Sequence, residues 1–168
     1  PNTQAQLAEA LGQVQLYSVL SPLEHLFDRG RGDVRVAALR DTVPHYPDIE
    51  RLFGELCGFL GSSRLQFTGP PLALYHDGEY REQDVDIEVA APFAGRLPVH
   101  PRVRERELPA EPCLACTVLH GPYEELRHAH AALLGWVESN GYRITGPDRE
   151  VFLVGPESGR GPASYVTE

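Results

Sequence analysis

The chain has 168 residues, a length suited to one domain whose core needs no disulfide or metal support. Its 24 acidic residues outweigh 15 basic ones, and the formal net charge of -9 excludes the concentrated Lys/Arg surface that DNA binding demands. No apolar run approaches the ~20 residues of a membrane span, no signal-peptide pattern opens the chain, and an odd set of three cysteines suits a reducing cytoplasm rather than a disulfide framework.

Residues Gln4 to Leu20 read as a helix, because Leu7, Leu11 and Val14 follow the spacing of one apolar stripe. Pro22 interrupts it, and Gly30-Arg31-Gly32 is a flexible break. We therefore expect a helical stem or linker over residues 1–30 and a ligand-binding domain over residues 31–168. The first residue is Pro rather than Met, which suits a piece of a longer chain.

The strongest feature is an internal repeat. Displaced by 77 positions, the chain matches itself: Ala38 falls on Ala115, Tyr46 on Tyr123, Leu56 on Leu133, Phe59 on Trp136 and Tyr75 on Phe152. Thr68-Gly69-Pro70 falls on Thr145-Gly146-Pro147, and no gap is needed from Val34 to Tyr75. Repeat one covers about residues 33–92 and repeat two about 101–168.

Each copy reads as strand, helix, strand, strand. The first strand is Val34–Thr42, with Arg102–Leu119 as its counterpart, bent at Pro109 or Pro112. Pro47 and Pro122 stand at helix starts, where a missing N–H goes unnoticed. The helices carry Ile49, Phe53, Leu56 and Leu60, and then Leu126, His130, Leu133 and Val137, on one face. Gly61 and Asn140-Gly141 are suitable stops. Short strands follow at Leu72–His76 and Arg149–Val154, and last strands at Asp84–Ala91 and Ser164–Glu168. The expected fold class is α+β: two pseudo-symmetric strand-helix-strand-strand repeats forming an antiparallel sheet with two helices and a central ligand cleft, repeat boundaries being common places for small-molecule sites.

Several stretches carry a family resemblance. Asp33-Val34-Arg35-Val36-Ala37-Ala38-Leu39-Arg40, His120-Gly121-Pro122-Tyr123-Glu124-Glu125-Leu126, Arg149-Glu150-Val151-Phe152-Leu153 and Tyr165-Val166-Thr167-Glu168 resemble the GyrI-like, or bacterial transcription activator effector-binding, domain. The resemblance spans roughly Gly32–Glu168. It implies a cytoplasmic sensor that binds a small-molecule effector, as in the C-terminal half of MerR-family multidrug-sensing regulators. It further implies contact with DNA only through an N-terminal domain outside this chain, a homodimeric parent, no cofactor and no membrane partner. Other members of the family stand alone, as gyrase-inhibitor-like interaction proteins or as hydrolases of cyclopropane-bearing natural products, so those two alternatives stay open.

Glu150 is the leading ligand-binding candidate. Alternation along Arg149–Val154 puts Glu150, Phe152 and Val154 on one face, with Val151 and Leu153 on the other. A carboxylate beside an aromatic on an apolar strand is costly to desolvate without a partner, and a cationic ligand or a neighbouring arginine would serve. The resemblance adds that a Glu at the matching position meets the ligand's positive charge in drug-sensing relatives. Tyr46 and Tyr123 occupy equivalent helix-start positions, Tyr75 and Phe152 equivalent strand positions, and Tyr165 the final strand. Large apolar faces with one polar tip suit a promiscuous pocket. Trp136 reads either as core or as pocket wall. Cys113 and Cys116 form a C-x-x-C in a segment that reads as strand, where residues three apart face opposite ways. Neither they nor the scattered histidines have the spacing of a metal site, and no phosphate-binding loop or nucleophile elbow is present.

Overall fold

The computed structural model describes residues 15–17, 33–111 and 114–168. These divide into two compact units. The first holds described residues 33–110 together with 146–151, and the second holds 15–17, the described part of 111–145, and 152–168.

Gln15–Tyr17 (β1) is a strand of the second unit, antiparallel to Leu114–Cys116 (β7). The expected Gln4–Leu20 helix therefore does not extend over these three residues. Ladder bonds to β7 satisfy their backbone in place of intrahelical ones. The rest of that helix, and most of the 1–30 stem, lie outside the described residues.

In the first unit, Val34–Val43 (β2) leads through a 3-10 turn at Tyr46–Asp48 into the helix Ile49–Ser62 (α1). Pro47 opens that turn, and the His45 N–H donates to the Asp48 carboxylate at 3.0 Å, satisfying a donor that would otherwise lack a partner. Gln66–Phe67 (β3), Leu72–Tyr75 (β4), Val85–Ala94 (β5) and Arg104–Leu108 (β6) follow. The ladder is antiparallel throughout, in the order β6-β2-β5-β4, with β3 also against β5. Beyond β4 comes the start of Asp148–Val154 (β9), in register Ala73 with Glu150. Leu52, Leu56 and Leu60 of α1 are buried against Leu39, Val43, Val85, Ile87 and Val89.

β6 corrects one expectation. Arg104–Leu108 had the reading of an opening strand for repeat two, yet it pairs with Val34–Ala38 and completes the first unit. An edge strand of that length would otherwise present a row of unpaired backbone groups.

In the second unit, β7 and Leu119–His120 (β8) take the place of one long strand. A 3-10 turn at Tyr123–Glu125 enters the helix Leu126–Ser139 (α2), and Val166–Thr167 (β10) lies between β8 and the end of β9. The buried face of α2 is Ala129 and Val137, with Leu126 and Ala132 packed beside Leu119. That face keeps Leu126 and Val137 of the expected stripe, with His130 and Leu133 half-buried and Ala129 added to it.

The repeat holds element by element. Ile49–Ser62 and Leu126–Ser139 begin and end 77 residues apart, as do the 3-10 turns before them. Both helices close with the same six-residue C-terminal bond, Leu65 N to Leu60 O and Tyr142 N to Val137 O, each at 3.0 Å. The left-handed residue of that motif is Gly141 in the second copy, as its stop signal implied. In the first copy it is Arg64, at φ 56°, and not Gly61. Among the described residues no helix is long and apolar enough to cross a membrane.

Candidate functional site

Glu150 and Tyr75 meet on neighbouring strands of the first unit. Glu150 is 6% exposed and pairs in register with Ala73, which puts it beside Tyr75 two residues along β4. The Tyr75 hydroxyl donates to Glu150 Oε2 at 2.6 Å, a short, charge-assisted bond. Burial first, and then the charge of Glu150 and the hydrogen bond to it, hold the Tyr75 phenol well above its ordinary pKa. The partners that a carboxylate here needs include this hydroxyl.

From Tyr75 a row of rings runs outward. Tyr46, at the start of α1, lies 5.8 Å from Tyr75, tilted by 51°. Tyr80, on the loop between β4 and β5, lies 5.4 Å from Tyr46 and nearly parallel to it, at 17°. Tyr75 and Tyr46 are both partly buried against the core, whereas Tyr80 is 77% exposed. The loop is fastened on both sides of Tyr80. Asp77 accepts from the Asp86 N–H at 2.8 Å and pairs with Arg81 at 2.8 Å, and the Arg81 N–H donates to the Tyr46 hydroxyl at 3.4 Å. Desolvation raises the Tyr46 pKa, partly opposed by that backbone donor.

A second polar centre of the same unit surrounds Glu88, which is 3% exposed on β5. His76 Nε2 lies 2.7 Å from its Oε2, and the Arg106 guanidinium contacts both carboxylate oxygens, Oε1 at 2.6 Å. Buried charges survive when paired and hydrogen-bonded in this way.

The second unit gathers Tyr123, Phe152 and Tyr165. Tyr123 lies edge-on to Phe152 at 5.5 Å and tilted against Tyr165 at 4.9 Å. Tyr165 sits one residue before β10 rather than within it. Glu157 folds back so that Oε1 accepts from the Gly155 N–H at 3.0 Å. A Cβ at Gly155 would meet Glu157 Oε2 at 2.6 Å and the Tyr123 hydroxyl at 3.0 Å, so the Glu157 side chain would have to shift to admit one.

The seven sequence candidates thus resolve into three groups. Glu150, Tyr75 and Tyr46 come together, and so do Tyr123, Phe152 and Tyr165. Trp136 is placed apart, stacked on Tyr142 at 5.7 Å and 9°. Along β9 both faces are covered over Glu150, Val151 and Phe152, while Leu153 is 38% exposed. A register shift opposite, between Val166 and Thr167, re-aims side chains at that end of the strand. Sequence reasoning missed Tyr80, Glu157 and the Glu88 cluster. The first two were within reach of the repeat, because Gly78 and Tyr80 fall on Gly155 and Glu157 at the same displacement of 77. Among the described residues no group of His, Cys, Asp and Glu is arranged to hold a metal ion.

The GyrI-like small molecule binding domain family matches residues 32–168. The chain belongs to this family. No curated protein matches the GyrI-like chain by sequence. Among solved structures it is similar to the C-terminal domain of EcmrR, with 25% identity and a TM-score of 0.70, over 80% of this chain and 87% of that one. It is also similar in fold to EcmrR in a cryo-EM complex with DNA, at 23% identity and a TM-score of 0.76, covering 99% of this chain and 60% of that one. A conserved protein from Listeria innocua shares the fold at 12% identity and a TM-score of 0.56, over 98% of this chain and 93% of that one. The GyrI-like chain is therefore an α+β small-molecule-binding domain, similar to the C-terminal domain of EcmrR.

Proposed function

We propose that this GyrI-like domain is the sensing part of a bacterial transcriptional regulator and that it recognises lipophilic aromatic molecules, cations in particular, through Glu150 and the tyrosines beside it. The observation that carries the reading is the buried Glu150 carboxylate, bonded to Tyr75, whose ring lies beside that of Tyr46. A carboxylate in an aromatic surround attracts a delocalised cation twice, by charge and through the ring faces. The likeness to the C-terminal domain of EcmrR supports a regulatory setting. In that setting DNA is contacted by a separate N-terminal domain, the parent pairs as a homodimer, and the protein works in the cytoplasm. Within the second unit, Tyr123, Phe152 and Tyr165 form a separate aromatic surface of their own.

Fluorescence titration with a rhodamine-like cation tests the reading. The wild-type chain should bind in the micromolar range, and Glu150→Gln should weaken binding by about tenfold or more, the scale of one charge-assisted contact. Equal affinity in the two proteins would remove Glu150 from ligand recognition.

A further inference from the structure

The outermost ring of the row has no place in the reading so far. We infer that Tyr80 is a built-in stand-in for the ligand: its ring occupies the face of Tyr46 on which a flat aromatic molecule stacks, so Tyr80 selects for planar ligands able to displace it. The inference rests on the proposed role of Glu150 and Tyr46 and adds a ligand shape to it.

The Tyr46–Tyr80 contact is near-parallel, at 17°, whereas the Tyr46–Tyr75 contact is tilted by 51°. Tyr80 therefore covers a flat face of Tyr46, the arrangement an aromatic ligand would adopt. The covering ring is itself 77% exposed, so rotating it into water sacrifices little buried area. Finally, the backbone around it is anchored independently by Asp77, Arg81 and the Asp84 N–H to Pro44 O bond at 3.2 Å. Rotation about the Tyr80 side-chain bonds alone would uncover Tyr46, and the loop need not move.

The repeat supplies a second, separate observation. The residue equivalent to Tyr80 is Glu157, and the site of a Cβ on Gly155 lies close to both its carboxylate and the hydroxyl of Tyr123, the equivalent of Tyr46. In each unit, then, the residue two past the loop glycine is brought to the helix-start tyrosine. One copy presents a ring there and the other a carboxylate, so the position is a variable contact set into a constant frame.

The test uses the whole chain, with Tyr80→Ala and Glu150→Gln variants and two probes: acridine orange, a planar tricyclic cation, and tetrabutylammonium, a cation with no flat face. Tyr80→Ala should tighten acridine orange by about two- to tenfold, the equivalent of one aromatic contact, and leave tetrabutylammonium within about twofold of wild type. Weaker or unchanged acridine orange binding in Tyr80→Ala overturns the inference, as does equal tightening of both probes. The Glu150 reading is judged separately. Loss of both cations in Glu150→Gln with no planar gain in Tyr80→Ala retains the site and rejects the stand-in, while absence of binding in every protein rejects both.

Discussion

A phenol held 2.6 Å from a buried carboxylate has a measurable consequence at alkaline pH. Burial, and then Glu150, keep Tyr75 protonated in the folded chain well above its ordinary 10.0. The unfolded chain has no such restraint, so above that value the folded state binds more protons. Stability is untouched below about pH 10 and declines as pH rises beyond it. Phenolate absorbance should show a Tyr75 step well above pH 10 that coincides with unfolding. In Tyr75→Phe, chemical denaturation should give a shallower loss of stability above pH 10, and an unchanged slope would show that another group governs the alkaline limit. At this scale the sequence exposed Glu150, because an acid on an apolar strand demands an explanation. Glu88 poses the same question on β5, but one of its partners, Arg106, reaches it only because β6 returns to the first unit, and no local pattern announces that return.

The two helices show what a repeat does and does not constrain. Identical length, identical 3-10 starts and the same terminal bond survive, and the buried positions correspond too: Ala129 and Val137 in α2 are the equivalents of Leu52 and Leu60 in α1, while Leu133, the equivalent of Leu56, is only half-buried. Periodicity located both helices correctly because backbone geometry and apolar spacing share one period. In α2 it found Leu126 and Val137 but missed Ala129, whose small side chain adds little to an apolar stripe. The shared terminus carries its own prediction. Arg64 holds at φ 56° the conformation that Gly141 supplies in the other copy, and a side chain there costs about 1 kcal/mol. Arg64→Gly should raise the stability of the chain by about 0.5–1 kcal/mol, and Gly141→Ala should lower it by about 1 kcal/mol. Denaturant midpoints check both, and a destabilised Arg64→Gly would show that the arginine side chain contributes more than its backbone costs.

For the molecule as a whole, the net charge of -9 gives a cationic ligand a favourable field before contact. Stopped-flow association of acridine orange should slow as ionic strength rises, by several-fold between about 20 and 200 mM salt, with dissociation changed much less; a rate insensitive to salt would confine the attraction to the site itself. The architecture was legible because duplication doubles every signal: turn, helix and strand each appear twice. The boundary between the copies was not legible, because strand partners are chosen by open edges rather than by proximity in sequence. Val34–Ala38 is covered by Arg104–Leu108, and Leu72–Tyr75 by the first four residues of β9. A chain cut between Ala94 and Arg104 would bare both flanks of that sheet, so the isolated first half should self-associate, and sedimentation of that fragment checks it.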